Sequence, residues 1–143
     1  MKRPLLVLAL TLAYVPTARP APSNDEVEAR KRALELAGAF SNDGFKIRDG
    51  NWAGAIKPGE GKLIQVNLYA GNQYWFSVAA TDPAKKMQIT VYDEAGAPQQ
   101  SEPYQEGGTA AAGFAPTASG SYFVKVEELA GEAAAYCLLY SYK

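Results

Sequence analysis

Histidine is absent from the 143-residue sequence. Its absence excludes the Ser-His-Asp and Cys-His nucleophile systems, and with them the zinc sites that use histidine ligands. Cysteine is scarce, because Cys137 is the only one, and a single cysteine forms no internal disulfide. The neighbours of Cys137 are apolar, which is typical of a buried structural thiol. The fold is therefore expected to hold together through its apolar core, without a disulfide.

The sequence also has no large excess of positive or negative charge. Lys and Arg number 14 against 15 Asp and Glu, the formal net charge is −1, and the sequence has no basic cluster. Such a mildly acidic balance argues against binding to nucleic acid or to anionic membranes. The longest apolar run, Leu5–Val15, has about 11 residues, whereas a membrane-spanning helix needs about 20.

This apolar run has the layout of a secretory signal peptide. Lys2 and Arg3 precede it, and the small residues Thr17 and Ala18 follow it. We predict a signal peptide over residues 1–18, a secreted or periplasmic location, and no membrane insertion after cleavage. No cysteine follows the run, so lipid attachment there is not supported.

Residues 19–39 carry the signals of a helical leader. Ser23 and Glu26 fit a capping box, and Gly38 fits a stop. The apolar residues Val27, Leu34 and Leu36 do not form a wide stripe. We predict a short, mostly solvated helix or a partly ordered leader, with a partner-binding helix as the alternative.

From residue 40 onward, apolar and polar side chains alternate between turns rich in Gly, Pro and Asp. The central stretch, Leu63–Ala80, predicts a hairpin of strand, reversal at residues 70–73, and strand. Its inward side chains are predicted to be Ile64, Val66, Leu68, Tyr74, Phe76 and Val78. Residues 98–113 predict a long connection with at most a weak strand near its end. Strands at intervals of about 10–15 residues predict an all-β domain over residues 40–143, an antiparallel, jelly-roll-like β-sandwich.

The order of motifs in this domain resembles the bacterial pre-peptidase C-terminal domain. The motifs are Trp52-x-Gly54-x-Ile56-x-x-Gly59-Glu60, Leu68-x-Ala70-Gly71-x-x-Tyr74-x-Phe76-x-Val78, Ile89-x-Val91-Tyr92-Asp93-x-x-Gly96, Phe114-x-Pro116, Ser119-Gly120-x-Tyr122-x-Val124-x-Val126 and Tyr136-x-Leu138. They span about residues 45–142. The resemblance implies a β-sandwich that is often appended to secreted peptidases. These residues include no peptidase domain, so an enzyme assisted by this chain is expected to be a separate chain.

Oxygen-bearing side chains in turns are candidate calcium ligands. They are Asn42, Asp43, Asp49 and Asp82. Calcium prefers such hard ligands, and the resemblance implies the same, because some members of that family bind calcium near the start of the sandwich. No EF-hand spacing is present, so Asx turns without a metal are the alternative. No other cofactor is predicted.

Three aromatic residues, Trp75, Tyr69 and Phe123, alternate with inward positions and are predicted to point away from the core. If solvent reaches them, they form an aromatic platform that can stack on sugar rings or on a protein surface. If the second sheet or the helical leader covers that face, they are ordinary core residues.

The sequence therefore predicts a non-catalytic exported module that binds a protein or a polymer or assists a secreted enzyme. The first alternative is a carbohydrate-binding module that uses the surface aromatics. The second alternative is a small hydrolase with a carboxylate pair. Adjacent acids such as Glu127 and Glu128 point apart in a strand, so they make no catalytic dyad by themselves.

Overall fold

The computed structural model describes residues 23–143, which form one α-helix and nine β-strands. The helix, α1, is Asn24–Ser41. The strands are β1 Lys46–Ile47, β2 Trp52–Ile56, β3 Gly61–Leu68, β4 Tyr74–Ala80, β5 Ala84–Asp93, β6 Glu102–Glu106, β7 Thr109–Phe114, β8 Gly120–Gly131 and β9 Ala134–Tyr142. The predicted signal peptide, residues 1–18, lies outside the described residues.

The strands form two antiparallel sheets with a shared core between them. The larger sheet has the order β1-β9-β4-β7-β6, and β2 also pairs with β9. β1 and β2 share one edge of β9: β1 pairs with Ser141 and Tyr142, and β2 pairs with residues 134–138. The smaller sheet has the order β3-β8-β5. The predicted antiparallel β-sandwich is confirmed.

Alternate side chains of the two sheets build the core. The buried side chains that meet there include Ile64, Val66, Leu68, Tyr74, Phe76, Val78, Tyr122, Val124 and Val126. Successive residues of a strand point to opposite faces, so every second side chain of these strands is removed from water. Full burial of one such side chain contributes about 1.5–3 kcal/mol. The inward positions predicted for the stretch Leu63–Ala80 are confirmed.

β3 and β4 do not pair with each other, so the predicted hairpin was wrong. β3 pairs with β8 in the smaller sheet, while β4 pairs with β7 and β9 in the larger sheet. The turn at residues 70–73 crosses from one sheet to the other. Gly71 adopts a φ of +92° in this turn, which a residue without a Cβ does readily. Alternation identified the buried face of each strand, but it carries no information about the pairing partner.

The stretch predicted as a long connection contains a true hairpin. β6 pairs with β7 from Glu102 opposite Gly113 to Glu106 opposite Thr109. Every residue of β6 is exposed. This strand therefore has no apolar alternation, and the sequence pattern missed it for that reason.

α1 begins where its capping signal predicts and ends later than expected. The Ser23 hydroxyl accepts a hydrogen bond from the backbone N–H of Glu26 at 3.1 Å. The helix continues through Gly38 to Ser41, so the predicted stop at Gly38 was wrong. A glycine inside a helix costs about 1 kcal/mol relative to alanine, which tertiary packing can offset. The chain leaves the helix at the turn that contains Gly44, whose φ is +89°.

α1 lies on the outer face of the larger sheet. Ala29, Ala33 and Ala37 follow one another by one helical turn, and all three are fully buried. They pack against Ala79, Ala135, Cys137 and Leu139 of β4 and β9. Most of α1 is exposed, as predicted, but the burial of this face was not predicted, because a stripe of alanine carries little apolar signal. α1 is the one helix within residues 23–143, and it is not long and apolar enough to cross a membrane.

Candidate functional site

A cleft of about 300 Å³ opens at one end of the sandwich. We call it the end cleft, and both sheets contribute to it. Its lining residues are Arg48, Asn67, Tyr69, Asn72, Tyr74, Tyr140 and Tyr142. Its volume lies at the lower limit of the range typical of small-ligand pockets, about 300–1,000 Å³.

Tyr74, at the start of β4, organises the deep part of the end cleft. Its hydroxyl oxygen accepts hydrogen bonds from the backbone N–H of Tyr69 at 2.9 Å and from Nδ2 of Asn72 at 3.2 Å. Its buried ring packs edge-on against Tyr140, with the ring centroids 6.0 Å apart. These contacts tie the turn between β3 and β4 to the larger sheet, so the residues of this turn are held in place at the rim.

Two tyrosine rings at the rim are open to solvent. The exposed fraction is 62% for Tyr69 and 39% for Tyr142. Asn67 lies beside them, and its Oδ1 accepts a hydrogen bond from the hydroxyl of Ser121 at 3.2 Å. Exposed rings can stack on the flat face of a ligand, and neighbouring amides can bind its polar substituents. The rim therefore has the chemistry of a site for a flat, polar ligand.

Arg48 is the one charged side chain among the described residues that line the end cleft. Its backbone N–H donates to the carbonyl of Tyr140 at 2.9 Å, and its guanidinium carbon lies 5.2 Å from the centroid of the Tyr140 ring. This is a cation–π geometry. Burial raises the pKa of Tyr140 above its usual value of 10.0, and the charge of Arg48 partly opposes the rise. Tyr140 is therefore neutral at physiological pH, and the end cleft carries one positive charge.

A second concavity, of about 480 Å³, lies on the outer face of the smaller sheet. We call it the sheet hollow. It is lined by Leu63 of β3, Tyr92 of β5, Phe123 and Lys125 of β8, and the turn after β5. Phe123 stands opposite Tyr92 in the ladder between β8 and β5, so two aromatic rings are neighbours across the strands.

The three predicted surface aromatics occupy three different places. Tyr69 lines the end cleft and Phe123 lines the sheet hollow. Trp75 lies beneath α1, where its ring stacks on Phe40 at a centroid distance of 4.3 Å. Gly113 makes room for this ring, because a Cβ there would lie 2.9 Å from it. The three residues do not form one platform, because α1 covers the face on which Trp75 lies; for Trp75, the alternative of a face covered by the helical leader is confirmed.

The predicted calcium ligands lie in three different turns. Asn42 follows the last residue of α1, and the backbone carbonyl of the adjacent Asp43 accepts a hydrogen bond from Nζ of Lys143 at 2.9 Å. Asp49 is exposed before β2. Asp82 accepts a hydrogen bond from Arg32 at 2.8 Å, and this bond lowers the pKa of its carboxyl. Across residues 23–143, no three Asp, Glu or Cys side chains come together in a group that could hold a metal ion. Calcium binding stays a prediction.

Most residues of the end cleft carry no local sequence signal that identifies them as site residues. Arg48 follows a two-residue strand in a turn-rich stretch, where no pattern distinguishes it. Tyr140 and Tyr142 belong to the inward row of β9, which predicts core positions. Tyr142 lies at the end of the sandwich and is partly exposed. Among the residues of the end cleft, the alternation of outward aromatics with inward residues identified only Tyr69.

Comparison with models of known protein families finds no family that matches this chain, and comparison with curated proteins finds no significant relative. The resemblance to the pre-peptidase C-terminal domain therefore stays a prediction that rests on the motifs quoted above.

Proposed function

We propose that this chain is a non-catalytic, exported binding module that holds a carbohydrate ligand in the end cleft. The proposal joins the expected export and the absence of histidine to one observation. Tyrosine rings and asparagine amides from both sheets converge at the end cleft around a single arginine. Aromatic rings with a few well-placed polar groups are the composition that binds flat, hydroxyl-rich ligands.

The rim supplies the two kinds of contact that a sugar needs. Tyr69 and Tyr142 offer ring faces, because both side chains are exposed. Asn67 and Asn72 offer amide groups, which both donate and accept hydrogen bonds. Tyr74 holds the turn through two hydrogen bonds to its hydroxyl, so the rim is formed before a ligand arrives. A preformed site keeps the entropic cost of binding low.

Affinity gel electrophoresis against a panel of soluble polysaccharides tests the proposal. At least one polysaccharide is expected to retard the wild-type protein. Tyr69→Ala and Tyr142→Ala are each expected to weaken that binding by about tenfold or more, which corresponds to about 1.4 kcal/mol of binding free energy. Far-UV circular dichroism of each variant verifies that the sandwich is intact.

Tyr104→Ala is the matched control. Tyr104 is a tyrosine of β6 that is exposed to nearly the same degree as Tyr142, 38% against 39%, and it lies outside the end cleft. This variant is expected to bind like the wild type. The proposal is wrong if no polysaccharide retards the wild-type protein, or if the two cleft variants bind as well as Tyr104→Ala.

A protein partner is the second candidate, and the outward face of α1 favours it. Val27 and Leu34 are exposed two turns apart on this helix, with Arg30 and Lys31 between them. Glu35 also borders this patch, so an apolar pair flanked by two cations and one acid fits a partly apolar partner with a net negative charge. Crosslinking in periplasmic extract or medium is expected to give the same adduct with wild type and Tyr69→Ala, and none with Leu34→Ser. An adduct that survives Leu34→Ser contradicts this candidate.

A further inference from the structure

A straight row of side chains leads away from the end cleft along β3. Leu63, Gln65 and Asn67 of β3 and Tyr69, the residue directly after this strand, are alternate residues, and all four are exposed. Alternate residues of a strand share one face, so this row lies on the outer side of the smaller sheet. At about 3.3 Å per residue, the six steps along the chain from the first to the last member span about 20 Å. The row is therefore much longer than one sugar ring.

The row ends in the sheet hollow. Leu63, its last member, lines the hollow together with Phe123 and Tyr92. Gln65 stands opposite Phe123 in the ladder between β3 and β8. The amide of Gln65 and the aromatic ring of Phe123 are thus neighbours on one face. The end cleft likewise combines an amide, that of Asn67, with an aromatic ring, that of Tyr69.

A hydrogen-bonded bridge joins the two concavities. Nε2 of Gln65 donates to the hydroxyl of Ser121 at 3.3 Å, and this hydroxyl donates to Oδ1 of Asn67 at 3.2 Å. Asn67 itself lines the end cleft. The surface from the end cleft to the sheet hollow is therefore continuous, polar and held by contacts between β3 and β8.

Charge along this surface is balanced. The row from Leu63 to Tyr69 contains no charged side chain. Lys125, at the edge of the hollow, lies 3.4 Å from the carboxylate of Glu127. Glu94 also lines the hollow, and Arg48 lines the end cleft, so each concavity has charged groups. Between the concavities the surface offers rings, amides and hydroxyls without a charged side chain, which suits an uncharged polymer of hydroxyl-rich rings better than a charged peptide.

We infer that the ligand is an extended β-1,4-linked polysaccharide chain, one end of which lies in the end cleft while its following sugars lie along β3 and reach the sheet hollow at Phe123. A β-1,4-linked chain of pyranose rings is extended, and the backbone of β3 that carries most of the row is extended too. This inference rests on the proposed function, because it assigns the class of polymer to the same site. It adds that binding has several subsites and that Phe123 belongs to the far one.

Isothermal titration calorimetry with cello-oligosaccharides and chito-oligosaccharides of two to six sugars tests the inference. The wild-type affinity for one of the two series is expected to rise by at least tenfold from the disaccharide to the hexasaccharide. Phe123→Ala is expected to abolish that rise. Gln65→Ala, which removes an amide from the middle of the row, is expected to reduce the rise. Tyr104→Ala is the control and is expected to behave like the wild type.

The outcomes separate this inference from the proposed function. Binding of a polysaccharide that depends on Tyr69 but is equally tight for two and six sugars overturns the inference and leaves the proposed function standing. A length dependence that survives both Phe123→Ala and Gln65→Ala also overturns the inference. Failure of every polysaccharide and oligosaccharide to bind overturns both.

Discussion

Phe40 of α1 stacks face to face on Trp75 of β4, with the ring centroids 4.3 Å apart and the ring planes 8° from parallel. The stack lies at the C-terminal end of the helix, beyond the stripe of buried alanines. Because of this stack, Trp75 on the outer face of the larger sheet is part of the interface between α1 and the sheet. α1 is therefore a third layer of the fold and not a detached leader.

Removal of the ring of Phe40 is expected to loosen that end of α1. Phe40→Ala deletes a half-buried aromatic ring, and we expect the free energy of unfolding to fall by about 1–3 kcal/mol, less than for a fully buried phenylalanine. Tryptophan fluorescence should shift to longer wavelength, because Trp75 then meets water. Leu34→Ala on the exposed side of the same helix is the control, with an expected change within about 0.5 kcal/mol. An unchanged emission spectrum in Phe40→Ala would contradict the stack.

Because the alanine stripe of α1 is tightly packed, we expect the stability of the protein to depend strongly on the size of the side chains in this stripe. Ala33 is fully buried between α1 and β9, so Ala33→Leu has no room for its added carbons. Overpacking of this kind costs about 1–3 kcal/mol. Ala39→Leu is the matched control, because Ala39 is exposed on the same helix and alanine and leucine have similar helix propensities. Urea unfolding should show a lower midpoint for Ala33→Leu only. Equal midpoints for the two variants would mean that α1 is not packed on the sheet.

The strands that were predicted best are those with one buried face. Over residues 63–68 of β3 and 121–128 of β8, buried side chains alternate with exposed or partly exposed ones, so the inward residues there followed from period two alone. β4 was predicted only in part, since its outer face is covered by α1 and both of its faces are buried. Periodicity reports which side chains are apolar. It does not report what lies against the other face of a strand.

The site was less predictable than the fold, for a physical reason. A core can be recognised within one strand, but the end cleft exists only because the ends of β3, β4 and β9 meet. Arg48 and Tyr142 are nearly a hundred residues apart in sequence, and pairing of β1 with the end of β9 brings their segments together. Such long-range pairing is a property of topology, which local sequence patterns do not encode.

Cys137 is expected to be chemically inert in the folded protein. Its side chain is fully buried beneath α1, and burial raises the pKa of its thiol to about 11. At pH 8, a thiol of that pKa has about 100-fold less thiolate than one of pKa 9.0, and thiolate is the reactive form. Labelling with a thiol-specific disulfide reagent should be slow in the native state and fast in denaturant.

A variant that disturbs the helix interface provides the comparison for this experiment. Ala33→Glu places a carboxylate against the surface that covers Cys137, so labelling at pH 8 should be at least tenfold faster than in the wild type. Ala39→Glu, on the exposed side of α1, should label as slowly as the wild type. Rapid labelling of the wild-type native state would show that α1 does not shield the thiol.

The buried carboxyl of Glu128 is expected to make the stability of the protein fall as pH rises. Its side chain lies on the inward row of β8 with none of its surface exposed, and neither carboxyl oxygen has a hydrogen-bond partner among the residues that the structure describes. Burial raises the pKa of its carboxyl above the usual 4.5. The folded state therefore keeps the proton at pH values where the unfolded state has released it. Because the unfolded state then binds fewer protons, stability falls as pH rises above about 4.5 and levels off above the folded-state pKa.

Glu128→Gln removes this titration and keeps the size of the side chain. Each pH unit between the unfolded and folded pKa values costs the wild type about 1.4 kcal/mol of unfolding free energy, and the variant does not incur that cost. Urea unfolding from pH 4 to pH 8 should therefore show the variant gaining stability relative to the wild type as pH rises. Glu127→Gln is the control, since Glu127 points outward beside Lys125 and its loss should leave the slope of the wild type unchanged. If Glu128→Gln and the wild type lose stability in parallel over this range, the carboxyl of Glu128 does not hold its proton in the folded state.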